Sequence, residues 1–141
     1  MGRYDGPHFS TENEDVVSIW VATCPLTEIP DEYFEDNHDE NDDTPFNQFS
    51  SDFGFGYYDH DLVEANRSEN SKATSLTELL QPMSYSQSFL AKATQLADSL
   101  QIKESSYIFI LYNFKYCQKT TGISESKYMR FLGVFPYVRA S

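Results

Sequence analysis

The run Val16-Val17-Ser18-Ile19-Trp20-Val21-Ala22-Thr23 constrains this chain more than any other stretch. It is nearly continuous in apolar residues, rich in β-branched side chains and closed by Cys24-Pro25. Eight residues is the length of a strand, and the missing alternation predicts burial on both faces. Tyr107 to Phe114 is a second such run and Tyr128 to Val138 a third. Thr120-Thr121-Gly122 and a polar stretch lie between them, so the simplest connection of these two runs is a long antiparallel hairpin.

Helical patterns supply the cover such a sheet needs. Ser84-Tyr85-Ser86-Gln87 has capping-box spacing. Phe89, Leu90, Ala93, Leu96, Ala97 and Leu100 behind it fall on one helical face. Ser75-Leu76-Thr77-Glu78 repeats the box ahead of Leu79 and Leu80, with Pro82 closing the helix. Ile29, Tyr33 and Phe34 predict a short helix over 28–36, with Pro30 in its first turn. Thr44 as N-cap, Pro45 at N1 and the stripe Phe46, Phe49, Phe53 predict another, stopped at Gly54. Residues 1–14 read as a flexible arm, 57–65 as a strand or an irregular segment, and 66–74 as a flexible loop. The expected architecture is one α+β domain over 1–141: an antiparallel or mixed sheet of three to five strands with helices packed on at least one face.

Charge is divided unevenly. Residues 1–66 hold 17 acids against one Arg, and residues 67–141 hold nine Lys or Arg against five acids, so −16 and +4 give the net −12. A field of this sign repels nucleic acid and attracts basic partners, which argues against direct binding of DNA or RNA. No window has the roughly 18 consecutive apolar residues that a membrane span requires. Met1 to Asp15 lacks the apolar core of a signal peptide, and Cys24 and Cys117 form no disulfide framework, so a cytoplasmic location with free thiols is expected. Nothing in the sequence fixes an oligomeric state.

Chemistry finds little foothold. The acidic run 36–43 fails as a calcium loop, because counting from Asp39 puts Thr44 at position 6 and Ser50 at position 12, and counting from Asp36 puts Asn41 and Asn47 there. On a strand, Asp59 and Asp61 would share a face that His60 leaves, so the three would not converge on a metal. There is no Gly-x-Ser-x-Gly elbow, and Gly54-Phe55-Gly56 lacks the rest of a phosphate-binding loop. No catalytic residue, metal ligand or cofactor site is expected. The remaining candidate is a surface. Tyr57, Tyr58, Asp59, Asp61 and Glu64 set aromatic residues among carboxylates, close in sequence to Asp39, Glu40, Asp42 and Asp43. Aromatic anchors ringed by charge are typical of protein-binding hot spots, and the carboxylates would steer a basic partner.

Four segments in order resemble immunity protein family 22: Val17-Ser18-Ile19-Trp20-Val21, Glu32-Tyr33-Phe34-Glu35, Phe53-Gly54-Phe55-Gly56-Tyr57-Tyr58-Asp59-His60-Asp61 and Phe131-Leu132-Gly133-Val134-Phe135-Pro136-Tyr137. The chain departs from that pattern at Ala22, where a glycine is expected. The resemblance implies an immunity component of a bacterial polymorphic-toxin system, which protects its producer by binding a cognate toxin domain and is not an enzyme. It brings no catalytic residue with it. The acidic half of the chain suits a basic target, and nucleases are typically basic because they hold phosphates. An acidic DNA mimic that blocks nucleic-acid-binding proteins is the alternative, and a metal-dependent hydrolase built on Asp59, His60 and Asp61 ranks behind it.

Overall fold

The computed structural model describes residues 9–11, 13–35, 47–69 and 72–138. At its centre lies β1 (Val16–Ala22), all seven of whose residues are buried, as its unbroken apolar run requires. The other strands of this sheet are β2 (Val63–Arg67), β5 (Tyr107–Tyr112) and β6 (Met129–Pro136). The order is β2-β5-β1-β6, every pair antiparallel. A separate two-stranded ribbon pairs β3 (Thr74–Ser75) with β4 (Glu104–Ser105).

The expected hairpin is not formed, because β1 lies between β5 and β6. An apolar strand left at a sheet edge would expose unpaired backbone groups, and pairing with the two later runs covers both edges of β1. Ala22, where the family pattern would have glycine, is simply the last residue of β1, paired with Met129 and outside the left-handed region.

Alternation along β1 sorts the core into two parts. Val17, Ile19 and Val21 join Ile108, Ile110 and Leu132 beneath the helices α2 (Leu76–Leu80) and α3 (Ser86–Ser99). Trp20 and Ala22 join Phe109, Leu111 and Phe131 on the other face, under a layer built from rings: Phe9, Tyr33, Phe49, Phe53, Phe55, Tyr58, Phe114 and Tyr116. Trp20 is fully buried at the middle of this layer, with Phe49 at 5.1 Å and Phe131 at 5.2 Å between ring centroids. Among the described residues its indole N–H has no hydrogen-bond acceptor, and it is packed among rings instead. Ser18 faces the same way; its hydroxyl donates to the Phe114 carbonyl and accepts from the Tyr116 N–H at 3.0 Å, tying down the chain that leaves β5.

The sheet carries one irregularity. Ile19 pairs with Gly133 and the next residue, Trp20, with Phe131, so Leu132 is the extra residue of a bulge in β6. A Cβ at Gly133 would lie 2.8 Å from a Leu96 methyl of α3 and 3.0 Å from the Phe135 ring. The helix therefore rests directly on the β6 backbone.

Several local expectations change. The helix expected over 28–36 is not one helix: its described residues, 28–35, lie in and around two 3-10 turns, Leu26–Glu28 and Asp31–Phe34. Ile29 between them is extended because the residue before a proline is pushed out of the helical region. The next helix, α1 (Gln48–Asp52), is capped by Asn47, whose side chain accepts from the Ser50 N–H at 2.8 Å. The proposed Thr44 cap, Pro45 and Phe46 lie outside the described residues. Phe49 and Phe53 are buried as expected, and Gly54 ends the helix at φ +76°. The 66–74 loop is shorter than expected, since Asn66 and Arg67 belong to β2 and Thr74 to β3. A last short helix, α4 (Gln118–Thr121), closes on Gly122. No helix among the described residues is long and apolar enough to cross a membrane.

Candidate functional site

The segment from Phe55 to Glu64 leaves the aromatic layer and becomes the edge strand. Phe55 and Tyr58 point into the core, while Tyr57 between them is 48% exposed. Asp59 then caps the 3-10 turn His60–Leu62, its Oδ1 accepting from the Asp61 N–H at 2.9 Å. Tyr57, Asp59 and Asp61 thus lie within five residues on the segment that leads into β2, whose first residue pairs with Leu111 near the end of β5, and Tyr57 and Asp61 are exposed.

Tyr58 is not part of that surface. It is 1% exposed, and its hydroxyl accepts from the Asn47 side-chain amide at 2.7 Å, which couples the α1 cap to the strand approach. Two adjacent tyrosines in extended chain point to opposite sides, so only one of them can face solvent. Glu64 is a second correction. It sits opposite Ile110, so its side chain turns toward the helix layer. There it accepts from the Ser84 N–H at 2.8 Å, from the Ser84 hydroxyl, and from the Tyr112 hydroxyl at 2.9 Å. Its oxygens serve the fold. Burial, with the Glu64 carboxylate beside it, pushes the Tyr112 phenol up, keeping it protonated and donating.

Asp39, Glu40, Asp42 and Asp43 lie outside the described residues. The acids of 28–35 come from a separate turn, whose Phe34 stacks on Phe109 at 4.7 Å and whose Phe34 carbonyl accepts from the same Asn47 amide, at 3.4 Å, that donates to the Tyr58 hydroxyl. His60 packs its ring edge-on to Tyr58 at 5.3 Å. Among the described residues no group of His, Cys, Asp or Glu is placed to hold a metal ion.

Beside this segment is a cleft of about 240 Å³ that sequence reasoning did not find, lined among others by Asp61, Glu64, Tyr85, Tyr112 and Tyr137. Tyr85 is 42% exposed and stacks on Tyr137, with centroids 4.9 Å apart. Tyr112 meets Tyr137 edge-on at 5.6 Å, and the Tyr137 hydroxyl donates to Asn113 Oδ1 at 2.7 Å. The expected Ser84 cap of α3 does not form. Ser84 is held by Glu64, and Tyr85 takes the N-cap position at φ 61° without a side-chain cap. The spacing of Ser84 and Gln87 carries no hint of this, because the competing partner lies twenty residues away in sequence.

The cysteines sit at the margins. Burial and the nearby Glu28 carboxylate push the Cys24 thiol up, whereas hydrogen bonds from Thr120 hold Cys117 below the ordinary thiol value.

No curated protein and no solved structure matches this chain. A family model described as Immunity protein 22 does match, over residues 17–138 of the 141, and the chain therefore belongs to that immunity protein family.

Proposed function

We propose that the protein neutralises a cognate bacterial toxin domain by binding it, acting as an inhibitor rather than an enzyme, and that the toxin is a basic nuclease. Membership of an immunity protein family over residues 17–138 carries the neutralising role. The net charge of −12, concentrated in the first half of the chain, supports a basic partner. The contact surface is the segment bearing Tyr57, Asp59 and Asp61, with one exposed aromatic ring close in sequence to two carboxylates. The run containing Asp39, Glu40, Asp42 and Asp43 adds charge of the same sign to this half of the sequence. Tyr58 and Glu64 support the surface from beneath. A carboxylate surface of this kind raises the association rate more than it lowers the dissociation rate. The protein works in the cytoplasm, where a nuclease toxin would meet nucleic acid.

The test is a double charge reversal, Asp59→Lys with Asp61→Lys, measured against the toxin domain encoded beside the gene. The reading expects weaker binding through slower association, with the fold intact by circular dichroism. Unchanged affinity would move the contact surface elsewhere.

A further inference from the structure

We propose that the tyrosine cleft beside this segment receives a single arginine side chain presented by the toxin domain. The proposal rests on the toxin-binding reading and names a site that shares only Asp61 with the surface of that reading.

Three observations carry it. The first is shape: an opening of about 240 Å³ is smaller than pockets for drug-sized ligands and suits one long side chain. The second is the lining. Tyr85 stacks on Tyr137 at 4.9 Å, meets Tyr112 edge-on at 6.3 Å and remains 42% exposed, which leaves ring surface for a planar cation. The third is charge. Asp61 and Glu64 both line the cleft, and among the described residues neither is paired with a Lys or Arg. Lys115, which follows the cleft residue Asn113 by two positions, pairs with Glu14 at 3.0 Å. The N-terminal end of α3 contributes about half a positive charge nearby, which two carboxylates outweigh.

These features select arginine over lysine. A guanidinium lies flat on the exposed Tyr85 ring while its edge donates to the Asp61 carboxylate, whose oxygens accept no hydrogen bond from another described residue. Glu64 adds charge but holds its place in the fold, because its oxygens already accept from Ser84 and Tyr112. Tyr112 and Tyr137 form the floor, fixed by Glu64 and Asn113 respectively.

Tyr85→Gly is the informative variant. At φ 61° glycine is unstrained, so the ring is removed without breaking the entry to α3. Acetyl-Gly-Arg-Gly-amide would be titrated into the full chain at low salt, with tyrosine ring resonances followed by NMR and the Gln and Lys peptides run alongside. Saturable shifts at Tyr85 and Tyr137 are expected with the Arg peptide, weaker ones with Lys and none with Gln. Tyr85→Gly and Asp61→Asn should each weaken the Arg peptide about threefold to fivefold, the size of one exposed cation–π contact. Still rings, equal responses to Arg and Gln, or both variants binding as the parent does would overturn the proposal. The same variants against the toxin domain separate the two readings. A complex indifferent to both substitutions overturns the cleft and leaves toxin binding standing. Saturation by the peptide with no toxin complex overturns the toxin as occupant.

Discussion

Glu64 holds Ser84 at two points: the Ser84 N–H donates to one carboxylate oxygen at 2.8 Å, and the Ser84 hydroxyl donates to the other. One side chain thereby ties the edge strand β2 to the linker between α2 and α3. Two residues on, Asn66 ties the same strand to α2 itself, donating to the Leu79 carbonyl at 3.0 Å.

Glu64→Ala should therefore destabilise the fold. It removes the acceptor of the exposed Ser84 N–H and one of the two acceptors of the Tyr112 hydroxyl, which keeps the Ser84 carbonyl at 2.6 Å, costing about 0.5–1.5 kcal/mol. Asp61→Asn, on an exposed side chain three residues away, should stay within about 0.5 kcal/mol. Urea unfolding of the two variants decides between a clamp and an ordinary surface acid. Equal midpoints would contradict the clamp.

Tyr57 and Tyr58 should separate in the same way. Tyr58→Phe removes the hydroxyl that accepts from Asn47, at a cost of about 1 kcal/mol. Tyr57→Ala, on a side chain 48% exposed, should weaken toxin binding with the fold retained. A Tyr58→Phe variant as stable as the parent would mean that the buried contact contributes nothing.

Gly133→Ala places a methyl where Leu96 and Phe135 already press, at 2.8 and 3.0 Å. Overpacking of this kind costs about 1–3 kcal/mol. Leu96→Ala should recover part of that loss in a double-mutant cycle measured by chemical denaturation, because it opens the same space. Additive losses would show that α3 does not rest on β6 at this point.

Tyr33, Tyr107 and Tyr112 predict how stability ends at high pH. Burial, largest in each case, pushes all three phenols up, Tyr107 to about 12. A group with a raised folded value contributes stability below its unfolded value, near 10, and loses it as pH rises through the folded value. The protein should hold its fold to about pH 10 and unfold above it, with phenolate absorbance and ellipticity changing together. Phenolate absorbance that reached completion well before unfolding would contradict the burial of these rings.

Much of the fold was legible in the sequence because it is written in local pattern. The unbroken run at 16–23 became β1, and the apolar face of Phe89, Ala93 and Ala97 became the buried side of α3. Strand order was not legible, since nothing local says that β1 inserts between β5 and β6. Pro30 misled in the same local way: it suits a first helical turn, yet it holds Ile29 extended and divides the segment. The candidate surface was half legible. The cluster of aromatic and acidic residues marked it, but which tyrosine turns inward and which acid is taken up by Ser84 depend on partners distant in sequence. The cleft was not legible, because Tyr85, Tyr112 and Tyr137 come from three separate segments.

The central claim, neutralisation by charge-guided binding, is tested most directly by titration calorimetry of the protein with its neighbouring toxin domain at two salt concentrations. A one-to-one complex whose affinity falls as salt rises is the expected result. No heat with a folded toxin domain, or an affinity indifferent to salt, would contradict it.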